Sequence, residues 1–296
     1  MDFEKARFNM VEQQVRPWDV LNPRVLEVIG EIPREVFTPD QYKKLAYVDT
    51  RIPIGDFEDH PCCMANPVLE GRILQEMHID GDDLILEIGT GSGYLTACLA
   101  KLGRHVDTVD ISEELVEQAE KNLDSLGINN VNFSVGDASK SWSQKRNYDV
   151  IVISAAMRSI PESYKKLLKP GGRMFIVTGD APAMKAYRVT READNKWITE
   201  ELFETYLQWR HAQGRPIARA GLDCVARADG RINPPTASDV RETRLELSED
   251  ERATLSTVAA ALGDIGTAGG FAGSELIETL PRAYEWLVVP AAKRYG

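Results

Sequence analysis

Apolar strands, glycine turns and amphipathic helices alternate between residues 81 and 210, predicting an α/β protein on a doubly wound, mostly parallel sheet. Three observations carry this. Leu84-Ile85-Leu86-Glu87-Ile88 is an apolar run closing on the turn Gly89-Thr90-Gly91-Ser92-Gly93, and a helical pattern opens at Tyr94. Arg104 to Asp110 is a second strand, followed by the helical spacing of Leu115, Ala119, Leu123 and Leu126. Tyr148 to Ser154 is a near-continuous apolar run, as expected of a strand buried on both faces. In such sheets ligands lie beyond the carboxyl ends of the strands. Glu87, Asp110, Asp137 and Ser154 all fall there.

Before the first sheet strand, residues 1–80 read as a helical cap over the open end of the sheet. Asn22-Pro23 is an N-cap followed by proline at N1, and Val25, Leu26 and Ile29 supply an apolar face. Ile32 to Pro39 is a proline-bounded connector, Pro61 to Pro67 reads as irregular, and Val68 to Met77 as helical. In the core, Ser112 is the expected N-cap of the helix from Glu113, and Gly127 its stop. Val131 to Val135 is a third strand, running into Gly136-Asp137-Ala138. Pro161 to Leu168 is helical, Lys169-Pro170-Gly171-Gly172 a turn, and Arg173 to Val177 a strand. Residues 211–296 read as a C-terminal extension of unassigned role. In it, Ser248-Glu249-Asp250-Glu251 is a capping box, Gly263 to Gly273 a flexible glycine-rich stretch, and Leu276 to Val289 an apolar stretch interrupted by Pro281.

Composition narrows the function classes. A 296-residue chain with 43% hydrophobic and 27% charged residues is ordinary for a soluble globular protein. A net charge of −11 argues against a broad nucleic-acid footprint. The longest apolar stretch, around Val150 to Met157, is too short to span a bilayer. Met1-Asp2-Phe3-Glu4 lacks the features of a signal peptide, so the cytoplasm is the expected compartment. Cys62, Cys63, Cys98 and Cys224 form no C-x-x-C pair, and with four histidines there is no zinc spacing, so no metal is expected. Cys98 reads as a small buried apolar residue.

The glycine turn carries the chemistry. A dinucleotide site uses G-x-G-x-x-G, but the third fingerprint position here is Tyr94, which disfavours an oxidoreductase. The form E-x-G-x-G-x-G resembles motif I of class I, Rossmann-like methyltransferases, which bind S-adenosylmethionine. The resemblance assigns that cofactor to Glu87, Gly89, Thr90, Gly91, Ser92 and Gly93, to Asp110 with Ile111, to Asp137 with Ala138, and to Ser154. Asp110 lies about twenty residues beyond the first glycine, where an acid accepts ribose hydroxyls. Asp137 stands where enzymes of this class meet the adenine amino group.

The flanking segments narrow the resemblance further. Phe8 to Pro17, Arg24-Val25-Leu26, Ile32 to Pro39, Ala46-Tyr47-Val48-Asp49, Ile52-Pro53-Ile54-Gly55, the Glu87–Tyr94 loop, and Asp149 to Ala156 before Ile160-Pro161 come in a telling order. That order, over roughly residues 5 to 207, is similar to the protein-L-isoaspartate O-methyltransferases. The resemblance implies methyl transfer to isoaspartyl carboxylates of damaged proteins or peptides. One element departs: aligned on Pro67, Cys63, Met64 and Ala65 replace the family's Thr-Ile-Ser, so the serine hydroxyl beside the transfer centre is absent. Cys63, Met64, Ala65 and Asn66 are therefore the substrate-loop candidates, and Asn66, Cys63 and His60 the candidates for a replacement hydrogen bond. Two alternatives follow from the departure: a methyltransferase with another acceptor, or a non-catalytic S-adenosylmethionine-binding interaction module. The oligomeric state is not readable from the sequence.

Overall fold

In the computed structural model, the described residues are 2–57, 60–142, 146–179 and 184–205. The C-terminal extension expected over 211–296, with its capping box and Cys224, lies outside them.

The N-terminal part holds helices α1 (Phe3–Met10) and α2 (Pro23–Glu31), an antiparallel hairpin of β1 (Ile52–Phe57) and β2 (His60–Met64), and α3 (Pro67–Glu76). Asn22 caps α2 as its sequence requires, accepting from the amide of Arg24 with Pro23 at N1. The strand β2 corrects the expectation of irregular chain over Pro61 to Pro67. Cys62 and Met64 are buried and Cys63 half-buried, so the faces alternate. All three side chains are apolar in character, however, so this two-residue period leaves no trace in the sequence. The pairing partner is β1, and two-stranded ribbons tolerate prolines such as Pro53 and Pro61 at their edges.

The sheet has seven strands: β3 (Leu84–Ile88), β4 (His105–Asp110), β5 (Val131–Val135), β6 (Tyr148–Met157), β7 (Leu168–Thr178), β8 (Met184–Ala193) and β9 (Lys196–Thr205). Their spatial order is β5-β4-β3-β6-β7-β8-β9. The first five of that order are parallel; β8 and β9 add an antiparallel hairpin, for which residues 184–205 gave no expectation. Chain order reverses between β3 and β6, which makes their carboxyl ends the switch-point crevice of the sheet.

Two layers cover the sheet. On one face Leu86, Ile88, Val109, Ile151 and Ile153 pack with Tyr164 of α6 (Glu162–Leu167). On the other, α4 (Tyr94–Leu102) and α5 (Glu113–Ser125) follow β3 and β4. Val150, Ile151, Val152 and Ile153 are fully buried, each contributing about 1.5–3 kcal/mol of apolar transfer. Ser112 caps α5 by accepting from the amide of Leu115. Gly127, at φ +68°, ends it with amide bonds from Gly127 to Asp124 and from Ile128 to Leu123, the paired bonds of a Schellman stop.

The expected turn Lys169–Gly172 is real but sits inside β7. Leu168 pairs with Tyr148 and Arg173 with Val150, so the four turn residues bulge from the ladder. The N-terminal cap also divides its work. The β1–β2 hairpin reaches the carboxyl edge of the sheet, where Ile54 Cδ1 lies 3.6 Å from the position a Cβ would take at Gly91. Helix α2 instead lies against the α4 layer, with Arg24 donating to the carbonyls of Ile79 and Leu102.

Candidate active site

The glycine turn is dictated by backbone geometry. Gly89, Gly91 and Gly93 have φ of +101°, +54° and +86°, a region that side chains occupy only at a cost. Gly93 has a second constraint: a Cβ there would stand 2.9 Å from both Ala119 Cβ and Leu123 Cδ1 of α5. Its role is close approach of α5, the task that the third glycine of a dinucleotide fingerprint performs one residue later. That leaves the next position free for Tyr94, which is buried at the start of α4.

Side chains then lock the turn to the strand ends. Asp110 Oδ2 accepts from the amide of Gly91 at 2.9 Å, and its Oδ1 from the amide of Ser112 at 3.2 Å. This buried carboxylate thus ties the end of β4 to the glycine turn and to the start of α5. Ser154 Oγ reaches the carbonyls of Gly89 at 2.7 Å and Ile88 at 3.0 Å. It does so from an irregularity in β6, where Val152 pairs with Phe175 but the next pair is Ala156 with Val177. The extra residues re-aim the strand beside the site. Thr90 Oγ1 bonds Thr108 Oγ1 at 2.7 Å, and the amide of Ser92's neighbour Tyr94 donates to Ser92 Oγ.

Glu87 is fully buried at the end of β3. Its Oε2 accepts from Thr96 Oγ1 at 2.6 Å and Thr108 Oγ1 at 2.8 Å. Its Oε1 is buried with no hydrogen-bond partner among the described residues. Burial, with a smaller push from the nearby acids Asp110 and Glu70, raises the carboxyl to about 8 against the two hydroxyls. At neutral pH burial therefore favours the protonated carboxyl, and a cation brought to the unpartnered Oε1 would favour the carboxylate.

Beyond β5, Asp137 is exposed and accepts from the amide of Ser139, while Ala138 is buried with its carbonyl bonded by Tyr164. Gly136 is needed because the Trp142 ring lies against it: a Cβ would meet Trp142 Cζ3 at 2.6 Å. Ile111 is half-buried between Asp110 and Ser112. All the cofactor candidates thus gather at the carboxyl ends of β3 to β6.

The substrate-loop candidates occupy the step from β2 to α3. Asn66 Nδ2 donates to Asp49 Oδ1 at 2.6 Å, and the same oxygen accepts from the amide of Val68 at 3.3 Å. Asp49 therefore caps α3 from outside, and the Asn66 amide nitrogen is engaged there. Arg34, buried completely, pairs with Glu70 and donates to the carbonyl of Ala65. Its guanidinium also lies 4.6 Å from the centroid of the Tyr94 ring, which Phe37 meets edge-on. Sequence reasoning missed Arg34, Glu70, Thr96, Thr108 and Trp142. The signal for the first was present, the only cation in the proline-bounded connector Ile32 to Pro39. The two threonines look like ordinary helix and strand residues until α4 packs on the sheet and β4 pairs with β3.

Comparison with known proteins gives a consistent answer. The family model described as protein-L-isoaspartate(D-aspartate) O-methyltransferase matches residues 6–207. A protein-L-isoaspartate O-methyltransferase of Dictyoglomus thermophilum is 37% identical over 194 residues, 66% of this chain and 86% of the relative. One from Trichlorobacter lovleyi is 36% identical over 201 residues, 68% of this chain and 90% of the relative. A solved protein-L-isoaspartate O-methyltransferase superposes with a TM-score of 0.62 at 25% identity, covering 71% of this chain and 66% of that one. A Plasmodium falciparum chain in complex with S-adenosyl-L-homocysteine gives a TM-score of 0.59 at 17% identity, over 71% of this chain and 98% of that one, a likeness of fold alone. No helix among the described residues is long and apolar enough to cross a membrane, and no group of three or more potential metal ligands occurs among them.

Proposed function

This chain belongs to the protein-L-isoaspartate(D-aspartate) O-methyltransferase family, and from that premise we propose that it methylates isoaspartyl carboxylates in damaged proteins or peptides. The observation that supports the reading is the seating of the β1–β2 hairpin on the glycine turn, with Ile54 against Gly91 and Arg34 bridging Ala65 to Tyr94.

The residues present fit S-adenosylmethionine. Glu87 Oε1 is a buried oxygen without a partner among the described residues, suited to the cationic amino end of the cofactor. The positive φ at Gly91 leaves bare backbone at the turn, and Asp110 is a buried carboxylate at the strand end where a ribose would be held. Glu87, Gly89 to Gly93, Asp110 with Ile111, Asp137 with Ala138, and Ser154 would hold the cofactor. When bound, it supplies an electrophilic methyl on a sulfonium.

The chain's own task is then modest. An acceptor carboxylate is already ionised at neutral pH, so no general base has to be found. The protein must align the acceptor for in-line displacement and keep water out. The hairpin and the cofactor turn form two walls of that alignment. Ala65 withdraws one hydroxyl from the acceptor wall without removing anything the displacement consumes.

Methyl-labelled S-adenosylmethionine with a matched pair of isoaspartyl and aspartyl peptides tests the proposal. Base-labile label on the isoaspartyl peptide alone is expected; label on neither peptide, with the cofactor bound, refutes it. The second reading, transfer to a different carboxylate acceptor, is favoured by one observation, Cys63-Met64-Ala65 where the family carries Thr-Ile-Ser. Label on the aspartyl peptide as strongly as on the isoaspartyl one supports that reading.

A further inference from the structure

We propose that Arg34 is a positioning residue for the methyl acceptor, holding the backbone of the substrate loop at Ala65 in register with the cofactor turn. This rests on the reading of Cys63 to Asn66 as the acceptor wall.

A buried arginine is costly unless its charge is paired. Arg34 is fully buried, and three elements share its guanidinium. Nη1 pairs with the carboxylate of Glu70 on α3. Nη2 donates to the carbonyl of Ala65 in the substrate loop. One face of the plane lies 4.6 Å from the ring centroid of Tyr94, the residue directly after Gly93. The rigid fork sets the two donors and the stacking face in a fixed relation, which an ammonium cannot do.

The second nitrogen reaches the segment where this chain departs from its family. Ala65 offers no side-chain oxygen, so its backbone carbonyl is the polar handle through which the loop is held. Asp49 secures the next residue, Asn66, from the other side. The loop is therefore pinned at two consecutive residues, once to the cap and once to the cofactor turn. The remaining Arg34 atom, Nε, has no hydrogen-bond partner among the described residues, so the guanidinium's two terminal nitrogens do all the anchoring.

The test uses the full chain saturated with S-adenosylhomocysteine, comparing wild type with Arg34→Lys and Glu70→Gln. Lysine keeps the charge opposite Glu70 and loses the fork. Amide hydrogen exchange at Met64, Ala65 and Asn66 is expected to rise at least tenfold in Arg34→Lys, with residues 85–92 unchanged. The affinity for S-adenosylhomocysteine by calorimetry should stay within threefold, while KM for an isoaspartyl peptide rises at least tenfold and kcat moves much less. Glu70→Gln keeps volume and an acceptor oxygen but weakens the seat of the guanidinium. It should show a smaller rise in the same three amides, and it decides the matter if Arg34→Lys does not fold. No exchange rise at 64–66 in the folded variants, or an equal rise across both segments, overturns the proposal. An unchanged KM overturns it too. If wild type methylates no isoaspartyl peptide, the proposed function fails separately, and the exchange pattern alone decides the role of Arg34.

Discussion

Alanine at Gly93 should destabilise the protein through two separable causes, backbone strain and steric contact, and two other glycines serve as controls. Gly93 combines φ +86° with a Cβ position 2.9 Å from Ala119 Cβ and Leu123 Cδ1, and 3.2 Å from Ala119 Cα. Left-handed backbone costs a non-glycine residue about 1–2 kcal/mol. Overpacking costs about 1–3 kcal/mol more, and relief is hard to find because Ala119 and Leu123 are themselves fully buried. A loss of about 3 kcal/mol lowers Tm by about 6–12 °C in a domain of this size. Gly127 has φ +68° with nothing within 4 Å of a Cβ, so Gly127→Ala isolates the strain: about 1 kcal/mol, or 2–4 °C. Gly30 lies inside α2 with open space around it and no positive φ. Gly30→Ala should therefore raise Tm by about 2 °C, from the helical and unfolded-state gain of about 0.5–1 kcal/mol. Thermal unfolding by circular dichroism on the apo proteins reads all three. The reasoning is refuted if Gly93→Ala melts no lower than Gly127→Ala, because the α5 contact would then carry no weight.

Two further outcomes follow from the carboxylates. Asp110→Ala removes the acceptor of the Gly91 and Ser112 amides. Calorimetry should show S-adenosylhomocysteine binding at least tenfold weaker, with Asp110→Asn intermediate; unchanged affinity would place the carboxylate outside the cofactor site. For Glu87, the folded value of about 8 stands above the ordinary 4.5 because of burial. The folded state binds the extra proton, so this group's favourable contribution is complete below about 4.5 and disappears as pH rises through 8. The difference in Tm between wild type and Glu87→Gln, measured from pH 5.5 to 9, should therefore move steadily against wild type; a pH-independent difference would mean that Glu87 is ionised throughout.

Local chemistry made much of the site readable in advance. Residues whose roles are set by backbone conformation or by position at a strand end declared themselves: the three glycines of the turn, Asn22 and Ser112 as caps, Gly127 as a stop, and Asp110 at the end of β4. Period and composition likewise sufficed for the parallel strands, since a strand buried on both faces must be apolar throughout. The hairpins β1–β2 and β8–β9 were a different matter. Their pairing depends on partners rather than on their own residues, and Cys62 to Met64 show no alternation of polarity to betray it.

By itself, then, the sequence determined the parallel strands, the glycine turn and the order of acids that follow it, because each is written in a short local run or at a strand end. Only the tertiary structure decided how the acceptor wall meets that turn. Arg34 joins Glu70, Ala65 and Tyr94, contacts separated by 36, 31 and 60 positions in the chain. Thr96 became a partner of Glu87 only when α4 folded back onto the sheet, and Thr108 only when β4 paired with β3. A hydrogen bond or a stacked ring needs a distance, and no spacing along the chain supplies one across such separations.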